Sequence, residues 1–143
     1  MAILCFVMGI YVASKIDVTL VDLLDKFNEC LFLILKSPGK FKRLLLGNIY
    51  RNPHSTLEND KQLYALFDHI DQNFKIPKLI VGDFNFSNRP IVWYSVHGSG
   101  ASPFCSPLND NELAFVNTLR EHLLIQHVVI PTIDIEVVIH LIP

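Results

Sequence analysis

Asp83 and Asn85 stand two residues apart at the end of an apolar run, Leu79-Ile80-Val81-Gly82-Asp83-Phe84-Asn85. A carboxylate there can orient a water or hold a hydrated metal, and an amide can donate hydrogen bonds to an oxyanion. In extended backbone such a pair points the same way, toward one reaction centre. Upstream, Tyr50-Arg51-Asn52-Pro53 gathers a phenol, a guanidinium and a second amide. A guanidinium can clamp a phosphate through two parallel hydrogen bonds. A strand followed by an Asx-type turn would use the same Asp and Asn without any chemistry, so the elements around them must decide.

The apolar run follows Pro77 and Lys78 and reads as a buried strand over 78–82, with Gly82 freeing the backbone to turn. Before it, Ser55 and Glu58 have capping-box spacing and predict the start of a helix. Leu63, Phe67, Ile70 and Phe74 recur along one side of that helix, and Glu58, Asp60, Asp68 and Asp71 are assigned to the other. Before the helix, 29–36 and 41–50 read as two strands joined by Ser37-Pro38-Gly39-Lys40, a β-hairpin. Lys36, Lys40, Lys42 and Arg43 cluster around its tip, a solvated turn or a phosphate contact. Strand 41–50, helix 55–75 and strand 78–82 then form one βαβ unit. Its parallel strands end at the same sheet edge, where open α/β sheets place ligands, so Tyr50-Arg51 and Asp83-Asn85 should meet there.

Outside this unit, residues 2–13 read as one β segment, and 14–28 as a strand passing into a turn. Residues 83–108 are rich in Ser, Gly, Pro and Asn and read as a long loop, a kind usually functional or disordered. Asn109 and Glu112 cap a second helix running to about Leu124, and 125–130 reads as a last strand.

Composition narrows the class. With 143 residues, half of them hydrophobic, the chain can bury a sizeable core as a single domain. Its net charge of −2 draws no polyanion globally, so nucleic-acid contact must come from local clusters. The 3 cysteines are scattered, which points to a reducing, intracellular setting rather than a disulfide framework. His122 and His127 lack HExxH order, so no zinc site is read. No apolar run approaches the roughly 20 residues of a membrane-spanning helix, so no membrane partner is expected. The apolar start, MAILCFVMGIYVA, lacks a basic leader region and reads as a buried strand.

Taken together, NIYRNPHS (48–55), LIVGDFNFS from Leu79, Trp93, the helix ELAFVNTLREHLL and QHVVIPT (126–132) resemble the endonuclease/exonuclease/phosphatase superfamily. More narrowly they are similar to the apurinic-type endonuclease domain of non-LTR (LINE-like) retrotransposons. GIYVAS (9–14) and ECLFLILK (29–36) extend the resemblance to about residues 9–132. GDFN is a short motif, and its combination with the YRNP and PT blocks is what makes the match specific. The resemblance implies an α/β (α+β by some schemes) fold, a four-layer αββα sandwich, here incomplete at both ends. It implies hydrolysis of a DNA phosphodiester with Mg²⁺ or Mn²⁺, and a nuclear location if that role is kept. By motif position Asp83 resembles the aspartate that orients or activates the attacking water and touches the metal, Asn85 the asparagine that binds the scissile phosphate or assists the metal, and Tyr50 the tyrosine near that phosphate. Arg51 and Asn52 become candidate substrate contacts. The family's Asn three residues after the Tyr is Pro53 here.

Other family parts have no counterpart. The metal-binding glutamate and first asparagine would precede Gly9, and the Ser-Asp-His block would follow Pro143. Thr132 runs instead into IDIEVVIHLIP, where Asp134 and Glu136 lie too close to the PT block and His140 lacks the preceding Ser-Asp. The expectation is a truncated, weak or inactive copy whose uncovered sheet edges favour self-association. Two alternatives stay open: a phosphatase-type member acting on a small phosphoester, and a non-catalytic interaction module.

Overall fold

Cys30-Leu31-Phe32-Leu33-Ile34-Leu35 is apolar without interruption, the pattern of a strand covered on both faces, and all six residues are buried. This is β4 (Cys30–Lys36), one of the two inner strands of a mixed four-stranded sheet. In the computed structural model, which describes residues 2–5, 8–23, 27–36, 43–86, 92–95, 101–104 and 109–124, the chain divides into two units, Met1–Phe86 and Ser87–Pro143. The described residues give a mixed α/β architecture.

In the first unit β1 (Ala2–Cys5) and β2 (Met8–Tyr11) pair antiparallel, so the single segment expected over 2–13 is a hairpin. The larger sheet has the order β3 (Asp17–Val21), β4, β5 (Arg43–Tyr50), β6 (Lys78–Asp83). β5 lies antiparallel to β4, as the hairpin signal predicts; β3 is also antiparallel to β4, and β6 is parallel to β5 across helix α1 (Leu57–Asn73). The predicted βαβ unit is therefore present.

Alternation along β5 divides the sheet's two faces. Leu44 and Leu46 pack with Val12, Leu33 and Leu35, joined by Ile10, Ile16 and Val18. Leu45 and Ile49 point the opposite way, toward the face that α1 covers with Leu63, Leu66, Phe67 and Ile70; all six are almost wholly buried. A Lys78–Asp71 ion pair at 3.2 Å fastens α1 to the start of β6.

The start of α1 corrects the sequence reading. Thr56, not Ser55, is the N-cap, and its hydroxyl accepts from the Asn59 amide at 3.2 Å. Ser55 is drawn off because its hydroxyl donates to Asp60 at 2.9 Å. Asp60 is itself a correction: assigned to the solvent side, it is fully buried. It lies three and seven residues before Leu63 and Phe67, on the stripe they define.

The second unit contains β7 (Val92–Ser95), β8 (Ala101–Phe104) and α2 (Asp110–Glu121). β7 and β8 pair antiparallel, with Trp93 opposite Pro103, so the segment expected to be one long loop holds a two-stranded sheet. The β-branched and aromatic run Val92-Trp93-Tyr94 favours a strand over a loop. α2 has the predicted capping box: Asn109 accepts from the Glu112 amide and Glu112 from the Asn109 amide, both at 2.9 Å. The strand expected over 125–130, the tail beyond it, and Lys40 and Lys42 at the hairpin tip lie outside the described residues.

Two glycines permit close approaches within the sheet. Gly82 has φ +157°, and a Cβ there would lie 1.9 Å from the Ile49 carbonyl oxygen. At Gly47 a Cβ would meet the Phe32 ring at 2.2 Å, across the β4–β5 register. Backbone cannot yield as a side chain can. Gly82→Ala is therefore expected to cost about 3 kcal/mol or more, and Gly47→Ala less, in urea unfolding. Equal losses from the two substitutions would contradict this account.

Candidate active site

In the parallel ladder Tyr50 is the register partner of Asp83, and the Arg51 amide extends the pairing by donating to the Asp83 carbonyl at 2.8 Å. Partners in register share a face, so the phenol and the carboxylate sit side by side at the carboxyl edge of the sheet, opposite the face covered by α1. Asp83 is exposed and Tyr50 half-buried. Glu29 stands at the same edge, its carbonyl accepting from the Tyr50 amide at 2.9 Å. Its Oε2 is buried with no hydrogen-bond partner among the described residues.

One residue further on, the chain turns to the α1 side. Arg51 is 4% exposed and meets Asp60, 0% exposed, in a bidentate pair: Nε donates to Oδ1 at 2.6 Å and Nη2 to Oδ2 at 3.0 Å. The remaining arm, Nη1, donates to the carbonyls of Asn85 at 2.6 Å and Phe84 at 3.3 Å. The Phe86 ring lies 3.9 Å from the guanidinium carbon and stacks in turn against Tyr64, the ring centroids 6.5 Å apart and 12° from parallel. Asn59 donates to the Ser55 hydroxyl at 2.9 Å, and Ser55 to Asp60. The result is a polar network running from the first turn of α1 to the segment after β6.

Asn85 belongs to this network. Its φ of +43° is left-handed, a conformation asparagine tolerates better than most residues. Its amide donates to the Arg51 carbonyl at 3.0 Å, so Arg51 and Asn85 hold each other reciprocally. The extended geometry expected to aim Asp83 and Asn85 together ends at Asp83. Asn52 is exposed, and its side-chain oxygen accepts from the His54 amide at 2.8 Å, an Asx turn. The sheet thus brings Tyr50 and Asp83 together, ties Asn85 to Arg51, and leaves Asn52 in the turn. The Arg51 fork, expected to face phosphate, is engaged inside the protein.

Sequence reasoning missed Asp60, Tyr64 and Phe86. The position of Asp60 on the apolar stripe was the available signal; the ring stack depends on a contact across the βαβ unit that no local pattern announces. For a metal, Asp83 supplies one exposed carboxylate, and among the described residues no group of three or more His, Cys, Asp or Glu is arranged to hold an ion. These residues do not make a cage for a resident metal. Among them, too, no helix is long and apolar enough to cross a membrane.

Burial pushes the Tyr64 phenol up to about 12 from 10.0, with the Asp60 carboxylate adding to the shift and the Arg51 guanidinium opposing it. The folded state favours the neutral phenol. Its contribution to stability is whole below the ordinary tyrosine pKa and is lost as pH rises through the folded one. Phenolate absorbance should therefore show a late ionisation near 12, absent from Tyr64→Phe, and stability should begin to fall above pH 10. A late step that survives in Tyr64→Phe would refute the assignment. No family model, curated protein or solved structure matches the chain.

Proposed function

We propose that the chain is the central part of an endonuclease/exonuclease/phosphatase-type domain, a four-layer αββα sandwich in its complete form, directed at the phosphodiester backbone of DNA. The observation that carries this is the parallel register setting Tyr50 beside Asp83 at the sheet's carboxyl edge. In that arrangement Asp83 orients the attacking water and accepts its proton as the new P–O bond forms, while the P–O bond to the leaving oxygen breaks and that oxygen takes a proton from solvent. The Tyr50 phenol donates to a phosphate oxygen. Asn85 gives one amide hydrogen to the Arg51 carbonyl, and an amide has a second to offer a phosphate. A Mg²⁺ or Mn²⁺ ion would find only Asp83 here among the described residues and would be held weakly, since one carboxylate offers it little; it would supply charge neutralisation at the phosphate.

The test is plasmid nicking. The 143-residue chain with Mg²⁺ should nick little or not at all, because it has no counterpart of the glutamate and histidine of the resembling family. Grafting family segments that carry them onto both ends should confer metal-dependent cleavage. Asp83→Ala should then lower the rate by about a hundredfold or more, as losses from groups acting as a unit do. A folded graft that does not cleave, or that cleaves equally well with Asp83→Ala, would overturn the proposal. Robust nicking by the ungrafted chain, lost in Asp83→Ala, would show instead that residues such as Glu29 complete a working site.

A further inference from the structure

We propose that Asp60 is a positioning residue, acting through Arg51 to fix the segment that presents Asp83 and Asn85. This rests on the site proposed above, though the geometry behind it is independent of any reaction. Asp60 is fully buried on the first turns of α1, on the covered side of the sheet, and does not belong to the exposed edge. What reaches that edge is the other end of the guanidinium. Two arms of Arg51 are held by Asp60, which orients the third onto the carbonyls of Phe84 and Asn85. Those carbonyls belong to the first residues beyond β6, where the ladder no longer supplies donors and Asn85 adopts a left-handed φ. Without Arg51 both would lose a charge-assisted donor.

A purely structural role makes a different demand. A buried ion pair can often be replaced by apolar side chains of similar volume with little loss of stability, whereas removing one partner strands a buried charge. If the pair served only the core, Arg51→Met with Asp60→Leu would be harmless. Apolar replacements cannot donate to two carbonyls, so the positioning role predicts a folded double variant with a loosened site.

The experiment compares the full chain, the double variant and Asp60→Glu, which keeps a carboxylate for the fork. It measures hydrogen exchange at the Arg51 amide, bonded to the Asp83 carbonyl, and at the Asn85 side-chain amide. The double variant should exchange about tenfold faster or more at both, while amides of Leu66 and Ile70 follow global stability alone. Asp60→Glu should recover most of the protection. Unchanged exchange at both sites in the folded double variant overturns the proposal, as does loosening no greater than the loss of global stability. A double variant that fails to fold overturns it too, since the pair would then be holding the core. Added Mn²⁺ separates this from the functional proposal. Selective broadening at Asp83 over the exposed Asp68 in the parent, lost in the double variant, supports both. No selectivity in the parent counts against a metal at Asp83 and leaves positioning to be decided by exchange.

Discussion

Arg51 and Asp60 are both removed from water, and that single burial constrains most of the first unit. Withdrawing either charge alone would cost several kcal/mol, so each is tolerable only because the other is in place and the remaining polar atoms find partners. The partners come from three elements: Ser55 before α1, the Phe84 and Asn85 carbonyls after β6, and Arg51 itself after β5. A shift of α1 along the sheet, or a slip of β6 against β5, would break the set. Hydrophobic burial supplies the larger energy but is non-directional, and Leu63 or Ile70 would bury nearly as well in several registers. The bidentate pair selects one.

Glycine makes that register sterically possible. The Ile49 carbonyl presses against Gly82 where β5 and β6 run side by side, one residue before Tyr50 and Asp83 meet. Any side chain at Gly82 would push the strands apart just where the candidate site forms. At Gly47 the neighbour is the Phe32 ring, which fills the space over the glycine and belongs to the core. One glycine serves the edge of the sheet and the other its interior.

How much of this was legible depends on how local each signal is. The hairpin of β4 and β5, the βαβ order and the capping box of α2 are written in neighbouring residues, and each is present. Ser55 shows where locality fails. Its spacing to Glu58 suits a cap, but a buried carboxylate five residues on captures the hydroxyl, and Thr56 takes over the helix end. Asp60 is misleading for a related reason: its charge argues for the solvent side, while its position on the stripe of Leu63 and Phe67 argues for the core. The β7–β8 pairing was hidden by polar, glycine-rich residues between two short runs, where composition argues loop and only cross-strand partners argue sheet. In the site, strand order alone placed Tyr50 beside Asp83. The direction of Arg51 depended on a partner that sequence had put on the wrong side of its helix.

That direction changes the electrostatics expected at the sheet edge. A guanidinium one residue after Tyr50 could turn outward to an anion or inward to Asp60, and the energies decide. Turning outward would leave Asp60 charged and buried without its Arg51 partner, at a cost of roughly 3–5 kcal/mol, and would take a charged donor from the Phe84 and Asn85 carbonyls. A phosphate contact at a solvated edge is screened and repays less. The balance keeps Arg51 inside, on Asp60 and the Asn85 carbonyl. Under the proposed function, the anion then approaches the Asp83 carboxylate with only neutral donors, the Tyr50 phenol and the Asn85 amide, to offset the repulsion. Under that proposal the like charges at this edge would call for a cation, and the described residues would leave it to come with the substrate rather than reside in the protein.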